Sequence, residues 1–315
     1  MTLDNKLILF YILLFFIFSS HSKGEEENDK WHKLQQDYIE IRCKEKDINN
    51  GKRIMGFAYK KFSNISSDLG FIPKKTIQII IAPSNITFYQ ITGNNMPEWS
   101  SGAAIPSQGI ILLKSPRITN PDVNLEIIIV HELTHIGLYQ ATGGKNLMKW
   151  FDEGFAQYYS GELNMNAKIH MAKRLLTNNF LTLKEIDEVL TFQKSEASLA
   201  YQEAHAAVLY LIDVGGLEAV QLVIENIYQT GNMDQALKAA LGIGFEEFES
   251  EWIAAMKKRY LWLVIFDYRL IISILFIILF FSAYLMKIRN TRKIKQNWEK
   301  EDIENSQTDK KNFLD

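Results

Sequence analysis

The sequence predicts an α+β fold in which a small mixed-sheet subdomain precedes a mainly helical subdomain and a C-terminal transmembrane helix. Three observations predict this order. Short apolar runs that read as strands, such as residues 76–81, lie in the first part of the chain, whereas the pattern beyond Asn124 is almost wholly helical. Near the C-terminus, residues 270–286 carry no charge, which is typical of a helix that spans a membrane.

The composition limits the classes of function. The 315 residues carry a formal net charge of −2, and no run of basic residues alternates with aromatic residues in the central region, which argues against nucleic-acid binding. The single cysteine, Cys43, can form neither an intramolecular disulfide nor a cysteine-based zinc site. Any metal ion must therefore use histidine and carboxylate ligands, and Cys43 is predicted to be a thiol buried in a strand.

The N-terminal residues 1–22 have the pattern of a signal peptide. Lys6 precedes an apolar run over residues 7–18, and the small residues Ser20 and Ser22 suit cleavage after Ser22. A retained N-terminal anchor is the alternative. Both interpretations predict that the part of the chain that follows is exported.

The C-terminal apolar segment predicts a transmembrane helix over residues 266–286. At about 1.5 Å per residue, the seventeen uncharged residues 270–286 span roughly 25 Å, slightly less than the hydrocarbon core of about 30 Å, and the apolar residues 261–266 are expected to extend the helix. Basic residues follow it directly, beginning with Lys287 and Arg289, and such residues are enriched on the cytoplasmic side. The sequence therefore predicts a single-pass membrane protein with residues 25–260 outside the cytoplasm and residues 287–315 as a flexible cytoplasmic tail.

The exported part is predicted to begin with an α/β region over residues 25–122. Residues 38–42 alternate in the manner of a strand, and residues 76–81 and 109–113 are apolar runs typical of buried strands. Residues 47–69 have the apolar spacing of a helix.

The region from 123 to 260 is predicted to be almost wholly helical. Its apolar residues recur every three or four positions, and glycines mark the points at which helices end. The predicted helices cover residues 123–142, 151–160, 166–178, 183–192, 198–214, 217–229, 233–241 and 245–259.

One short motif in the first of these helices indicates metal chemistry. Residues 131–135 read His-Glu-Leu-Thr-His. Because residues four apart share one face of a helix, His131 and His135 can both reach a single zinc ion. Glu132 lies beside that face, where it can accept a proton from a zinc-activated water rather than bind the metal, so it is predicted to be the catalytic general base.

A catalytic zinc also needs a third protein ligand, and Glu153 can supply it. The chain between His135 and Glu153 is long enough for the end of one helix, a turn at Gly143-Gly144, and an antiparallel return. We therefore predict a zinc site with ligands His131, His135 and Glu153, located between the sheet and the helical subdomains.

The two segments His-Glu-Leu-Thr-His and Trp-Phe-Asp-Glu-Gly-Phe-Ala (150–156) resemble the gluzincin metallopeptidases, the group of thermolysin-like and aminopeptidase-type enzymes. The chain is most similar to the peptidase MA-like family, over about residues 35–258. This resemblance implies the same three zinc ligands and the same base. It also implies that the strand at 109–113 is an edge strand beside the cleft, where a substrate backbone adds as a further strand; a fully paired core strand is the alternative.

The sequence departs from these relatives at three points. It lacks the G-x-M-E-N signature by which aminopeptidases read a free amine, which favours an endopeptidase. Asp152 stands where many relatives have asparagine, and Gln157 stands where thermolysin-like enzymes have an aspartate that supports a metal ligand. Gln157 could accept an imidazole N–H through its amide oxygen or could simply be a solvated residue.

Two residues on the helix at 198–214 are candidates for stabilising the oxyanion of the reaction. Relatives place such a side chain in this region, and Tyr201 is the first candidate and His205 the second. Packing of both side chains in the core is the alternative, because they share a helix face with Val208 and Ile212.

The sequence as a whole predicts a membrane-anchored zinc metallopeptidase that cleaves peptides or proteins. Two alternatives are a non-catalytic module of the same fold that binds or scaffolds a partner, and a zinc hydrolase of a non-peptide substrate. The intact set of two histidines and two glutamates argues against the first of these. Neither the substrate nor the oligomeric state can be inferred from the sequence.

Overall fold

The structure is a computed structural model. It describes residues 30–93, 100–119, 124–161, 165–188, 194–266 and 268–312. The predicted signal peptide or N-terminal anchor, residues 1–22, lies outside the described residues.

A five-stranded mixed sheet forms the first part of the fold, and its strand order is β1-β2-β3-β5-β4. β1 and β2 are antiparallel, β2, β3 and β5 run parallel to one another, and β4 is antiparallel to β5. The prediction of a mixed sheet is confirmed. The strands are β1 (Trp31–Gln36), β2 (Ile39–Lys44), β3 (Ile77–Ala82), β4 (Gly102–Ile105) and β5 (Ile110–Lys114).

Both faces of the central strands are buried, which explains their uninterrupted apolar sequences. Ile79 and Ile81 of β3 face the main core, whereas Ile80 packs in a smaller cluster on the other face. Helix α1 (Ile48–Asp68) lies on the main face, and the short helix α2 (Asn85–Thr92) lies on the smaller one. Cys43 of β2 is buried and unpaired, as predicted.

The structure contains three elements of this region that the sequence analysis missed. β1 is mostly polar and half exposed, and β4 reads Gly-Ala-Ala-Ile with a single β-branched residue, so neither strand has the run of β-branched residues on which strand prediction depends. Helix α2 depends on its ends: the Ser84 hydroxyl accepts the Thr87 N–H, and Gly93 closes the helix at a left-handed φ of 69°.

The expectation that the strand at 109–113 is an edge strand is wrong. This strand, β5, pairs with β3 on one side and with β4 on the other. The edge of the sheet on this side is β4, whose second side pairs with no strand among the described residues; β1 is the opposite edge.

Most of the chain beyond residue 124 is helical, as predicted. The helices predicted at 198–214 and 217–229 form one element, which is interrupted by non-helical backbone at Gly216. The helix predicted at 183–192 is only one turn long, and residues 189–193 lie outside the described ranges. The helices are α3 (Leu125–Ala141), α4 (Lys149–Ser160), α5 (Met165–Leu176), α6 (Leu183–Ile186), α7 (Lys194–Thr230), α8 (Met233–Leu241), α9 (Phe245–Tyr260) and α10 (Tyr268–Asn312).

The sheet and the helices share one hydrophobic core. It runs from Ile39 of β2 through Ile129 of α3 and Phe155 of α4 to Trp252 of α9. The core ends at Leu263, in a 3-10 helical segment (Leu261–Phe266) that follows α9. Helix α3 therefore lies between the sheet and the remaining helices.

Among the described residues, two helices are long and apolar enough to cross a membrane. The window Leu199–Thr230 belongs to α7, and its Ala204, Val208 and Leu211 are buried in the core, as expected of an internal helix. The window Ile271–Glu301 belongs to α10 and has no buried part. Helix α10 continues to Asn312, so the described part of the predicted tail is helical.

Candidate metal centre

Helix α3 places the two histidines of the motif side by side. Its N-terminus is capped by Asn124, whose side-chain oxygen accepts the Glu126 N–H at 2.9 Å. The spacing of four residues brings His131 and His135 onto one face, where their ring centroids lie 4.9 Å apart with an interplanar angle of 80°.

Two glycines turn the chain from α3 towards α4. Gly143 and Gly144 have φ values of 63° and 77°, which glycine adopts far more readily than other residues. A Cβ atom on Gly144 would also lie 2.9 Å from the Tyr139 side chain. This turn allows α4 to pack against α3 and brings Glu153 beside the two imidazoles.

The side chains of His131, His135 and Glu153 form a cluster with the dimensions of a metal site. One ligand atom from each lies within 4.8 Å of the others. Glu153 Oε2 is 3.4 Å from His131 Nε2 and 3.7 Å from His135 Nε2. Three ligands at about 2.0–2.1 Å from a tetrahedral zinc ion are themselves about 3.4 Å apart, so the donor set fits zinc in its chemistry, and the two separations from Glu153 are close to this spacing.

Asp152 holds one of these imidazoles in position. Its Oδ1 atom lies 2.8 Å from His135 Nδ1, which leaves Nε2 of His135 directed at the cluster. Lys149 Nζ lies 3.8 Å from the other oxygen of Asp152. This role of Asp152 was not predicted from the sequence, in which Asp152 is only a departure from relatives. The one sequence feature that could have indicated it is the position of Asp152 directly before the predicted ligand Glu153. Within the described ranges, Gln157 makes no hydrogen bond with either imidazole.

The charges of the cluster stabilise one another strongly. Burial alone would lower the pKa of His135, but the carboxylates of Asp152 and Glu153 overcome it and raise this pKa to about 10. Burial would raise the pKa of Glu153, but His135 and His131 lower it to about 2. Because histidine and carboxylate ligands bind a metal in their deprotonated forms, metal binding at this cluster would be coupled to the release of any proton that the cluster holds.

Glu132 lies between the cluster and the edge strand. It is only 8% exposed, and burial raises the pKa of its carboxyl, while the neighbouring His131 and His135 oppose this shift. The backbone N–H of Ala104 in β4 donates to the Glu132 carboxylate. A Cβ atom on Gly102 would lie 3.1 Å from Glu132 Oε1 and 2.4 Å from Ile128, so only glycine allows β4 to approach α3 this closely.

Tyr201 and His205 have different surroundings, although both lie on α7. Burial raises the pKa of Tyr201, and the charges of Glu153 and Glu132 raise it further. The phenol group is therefore close enough to both carboxylates to interact with them electrostatically. The pKa of His205 is lowered to about 4 by burial and by Lys168, and neither carboxylate contributes. Of the two candidates, Tyr201 is thus the one that is coupled to the cluster.

Close packing between α4 and α7 fixes this arrangement. A Cβ atom on Gly154 would lie 2.5 Å from the Ala204 carbonyl oxygen and 2.7 Å from Val208. The two backbones can approach only because residue 154 has no side chain. Glu153 and Tyr201 are therefore held on two helices that are in direct contact.

The sheet packs against helix α3, which carries the two histidines, and α4 brings one glutamate beside them. This arrangement is typical of a peptidase-like fold. The sequence model described as Peptidase MA superfamily matches residues 58–258, and the chain belongs to this superfamily. This match confirms the resemblance found in the sequence. A comparison with curated proteins gave no match.

Proposed function

We propose that the protein is a membrane-anchored zinc metallopeptidase that acts as an endopeptidase. The observation that carries the proposal is the joint position of the cluster His131, His135 and Glu153, the carboxylate of Glu132 and the free edge strand β4. The three cluster residues would hold the zinc ion. When bound, zinc supplies a Lewis acid that lowers the pKa of water and polarises a substrate carbonyl.

The chain's own residues then carry the proton transfers. Glu132 accepts the proton of the attacking water and passes it to the nitrogen of the leaving amine. The Ala104 N–H keeps the Glu132 carboxylate in place during both transfers. The Tyr201 hydroxyl donates to the oxyanion that develops on the former carbonyl oxygen.

The edge strand β4 is suited to hold an extended peptide. A substrate backbone that pairs with its free side runs past Glu132, because β4 contacts α3 at Gly102 and Ala104. The sequence has no signature for reading a terminal amine, which supports cleavage within a chain.

The C-terminal helix α10 supports membrane anchoring. Its apolar window is not buried against the rest of the chain, and basic residues begin at Lys287. Polypeptide segments flanked in this way favour a cytoplasmic position for the basic side. The domain that precedes α10 would then be extracytoplasmic.

A protease added to the outside of intact cells is expected to digest residues 25–260 and to spare the tail from Lys287. An epitope tag after Asp315 makes the protected fragment visible on a blot, and permeabilised cells provide the control in which the tail is also lost. A protected domain with a digested tail would reverse the orientation.

The metal site is tested by zinc content together with cleavage of a random peptide library. Wild-type protein is expected to contain zinc and to cut peptides internally. Glu153→Ala should contain clearly less zinc because a ligand is lost, whereas Asp152→Ala should weaken zinc affinity by about 10–100-fold because His135 is no longer oriented. Glu225→Ala, an exposed glutamate on α7, is the matched control and should change neither quantity.

The same measurement separates the alternatives. A zinc-containing protein that leaves every peptide intact would be a binding module or a hydrolase of another substrate class. Unchanged zinc in Glu153→Ala would exclude Glu153 as the third ligand.

A further inference from the structure

A cavity of about 790 Å³ lies apart from the metal centre. Its walls come from α1, α3, α4, α5, α7 and the region where α9 passes into the 3-10 segment. Val130 of α3 forms part of its floor. At about 100° per residue, Val130 projects about 140° away from His135 and about 160° away from Glu132, so this cavity lies behind the metal helix.

The walls of the cavity carry an excess of positive charge. Lys61, Lys168 and Arg259 line it together with one acidic residue, Asp68. Asp68 accepts a hydrogen bond from the Tyr159 hydroxyl at 3.2 Å, and Arg259 pairs with Asp213 at 2.7 Å. Among the described residues, Lys61 and Lys168 form no salt bridge and can attract an anion, although the Lys61 ammonium also lies 5.6 Å from the centroid of the Phe57 ring. Burial lowers the pKa of His205, and the nearby Lys168 ammonium lowers it further.

Part of the lining of the same cavity is apolar or aromatic. Ile65, Val130, Leu209 and Leu263 contribute aliphatic surface, and Tyr158 and Tyr260 are also among the lining residues. A small inorganic anion needs no such surface. The combination instead suits an amphiphile that has an anionic headgroup and a hydrocarbon portion.

The position of the cavity in the chain brings it close to the proposed membrane anchor. Tyr260, Trp262 and Leu263 belong to its wall, and the apolar window of α10 begins at Ile271. Even a fully extended chain from Leu263 to Ile271 spans at most about 29 Å. The ring of Trp262 is 57% exposed, and tryptophan and tyrosine are the residues that favour the headgroup level of a bilayer.

From these features we infer that the cavity binds an anionic phospholipid of the bilayer in which α10 is anchored. The phosphate lies between Lys61 and Lys168, and one acyl chain enters along Leu209 and Leu263 towards Val130. This inference rests on the proposed membrane anchoring but not on the proposed peptidase chemistry. Occupation of the cavity would hold the domain against the membrane in one orientation.

The test uses the full chain in nanodiscs with a photoactivatable phosphatidylglycerol whose reactive group lies in an acyl chain. Cross-links are expected in the peptides that contain Val130, Leu209 or Leu263, in addition to those in α10. The double variant Lys61→Gln/Lys168→Gln should reduce the cavity cross-links by about 10–30-fold, because each lysine contributes to headgroup attraction. Lys60→Gln removes an exposed charge outside the cavity and should leave the cross-links unchanged.

Further arms identify the ligand and separate the proposals. A photoactivatable phosphatidylcholine should label the cavity far less, and an excess of inorganic phosphate should not compete. Equal labelling by both lipids, competition by phosphate, or labelling of α10 alone would each overturn the lipid site. A chain that does not enter nanodiscs would overturn the anchor as well, whereas zinc content and library cleavage report on the peptidase site independently.

Discussion

Glu132→Gln is expected to lower peptide cleavage by at least about 10²-fold while zinc content and folding stay close to wild type. The amide has the shape of the carboxylate, but it cannot take a proton from water or return one to the leaving amine. The three cluster residues are untouched by this change, so zinc should still bind. Zinc analysis, a thermal melt and cleavage rates on one peptide measure the three quantities.

A matched control for this variant lies on the same helix. Glu126 is in the first turn of α3 and only approaches Arg53 at 3.8 Å, so Glu126→Gln should keep full activity. Zinc lost in proportion to activity would make Glu132 a structural residue. Retained cleavage in Glu132→Gln would contradict the proposed mechanism. In the described part of the chain, no other carboxylate outside the ligand set lies between the cluster and β4, where it could replace Glu132 as the base.

Tyr201→Phe is expected to lower kcat by about 10²–10³-fold with little change in KM, as for the loss of one oxyanion donor. The variant removes only the hydroxyl and keeps the ring that packs against the core. In the wild-type protein, the charges of Glu153 and Glu132 add to the raised pKa of the Tyr201 phenol, which supports a position of this hydroxyl at the reacting carbonyl. Steady-state kinetics on a single peptide check the split between kcat and KM.

Two other substitutions on α7 complete this experiment. Tyr210→Phe removes a hydroxyl that donates to Glu251 on the far side of the helix, and it should have no effect on kcat. His205→Phe should be milder than Tyr201→Phe, because His205 lines the cavity behind the metal helix. A larger effect at His205 would assign the oxyanion role to His205 instead of Tyr201. Unchanged kinetics in both variants would show that both side chains only pack in the core.

The parts of the fold that sequence reasoning predicted are those with a strong local signal. β3 and β5 are runs of branched apolar residues, because neighbours cover both of their faces. β4 has no such signal: its small residues are required by the approach of α3, which is a tertiary contact. The edge strand was therefore assigned to β5, one position too far into the sheet.

The site shows the same division. The i, i+4 histidines and a glutamate after a glycine turn predicted the ligand set from spacing alone, and the structure brings their atoms within 4.8 Å. The contact of Asp152 with His135 was missed, because it depends on the direction in which α4 presents two adjacent carboxylates. Tyr201 and His205 are also one turn apart on one helix, so periodicity alone cannot tell which of them faces the cluster.

The absence of side chains at Gly102 and Gly154 has a consequence for substrate entry. Gly102 lets β4 lie directly against the Ile128 and Glu132 side chains of α3, and Gly154 lets α4 lie directly against the backbone of α7, so the elements around the cluster are closely packed on both sides. We expect the cleft to be preorganised, with little free energy spent on closing around a peptide. Selectivity would then depend on whether an extended segment is already available in the target, which favours unstructured loops and linkers over folded domains.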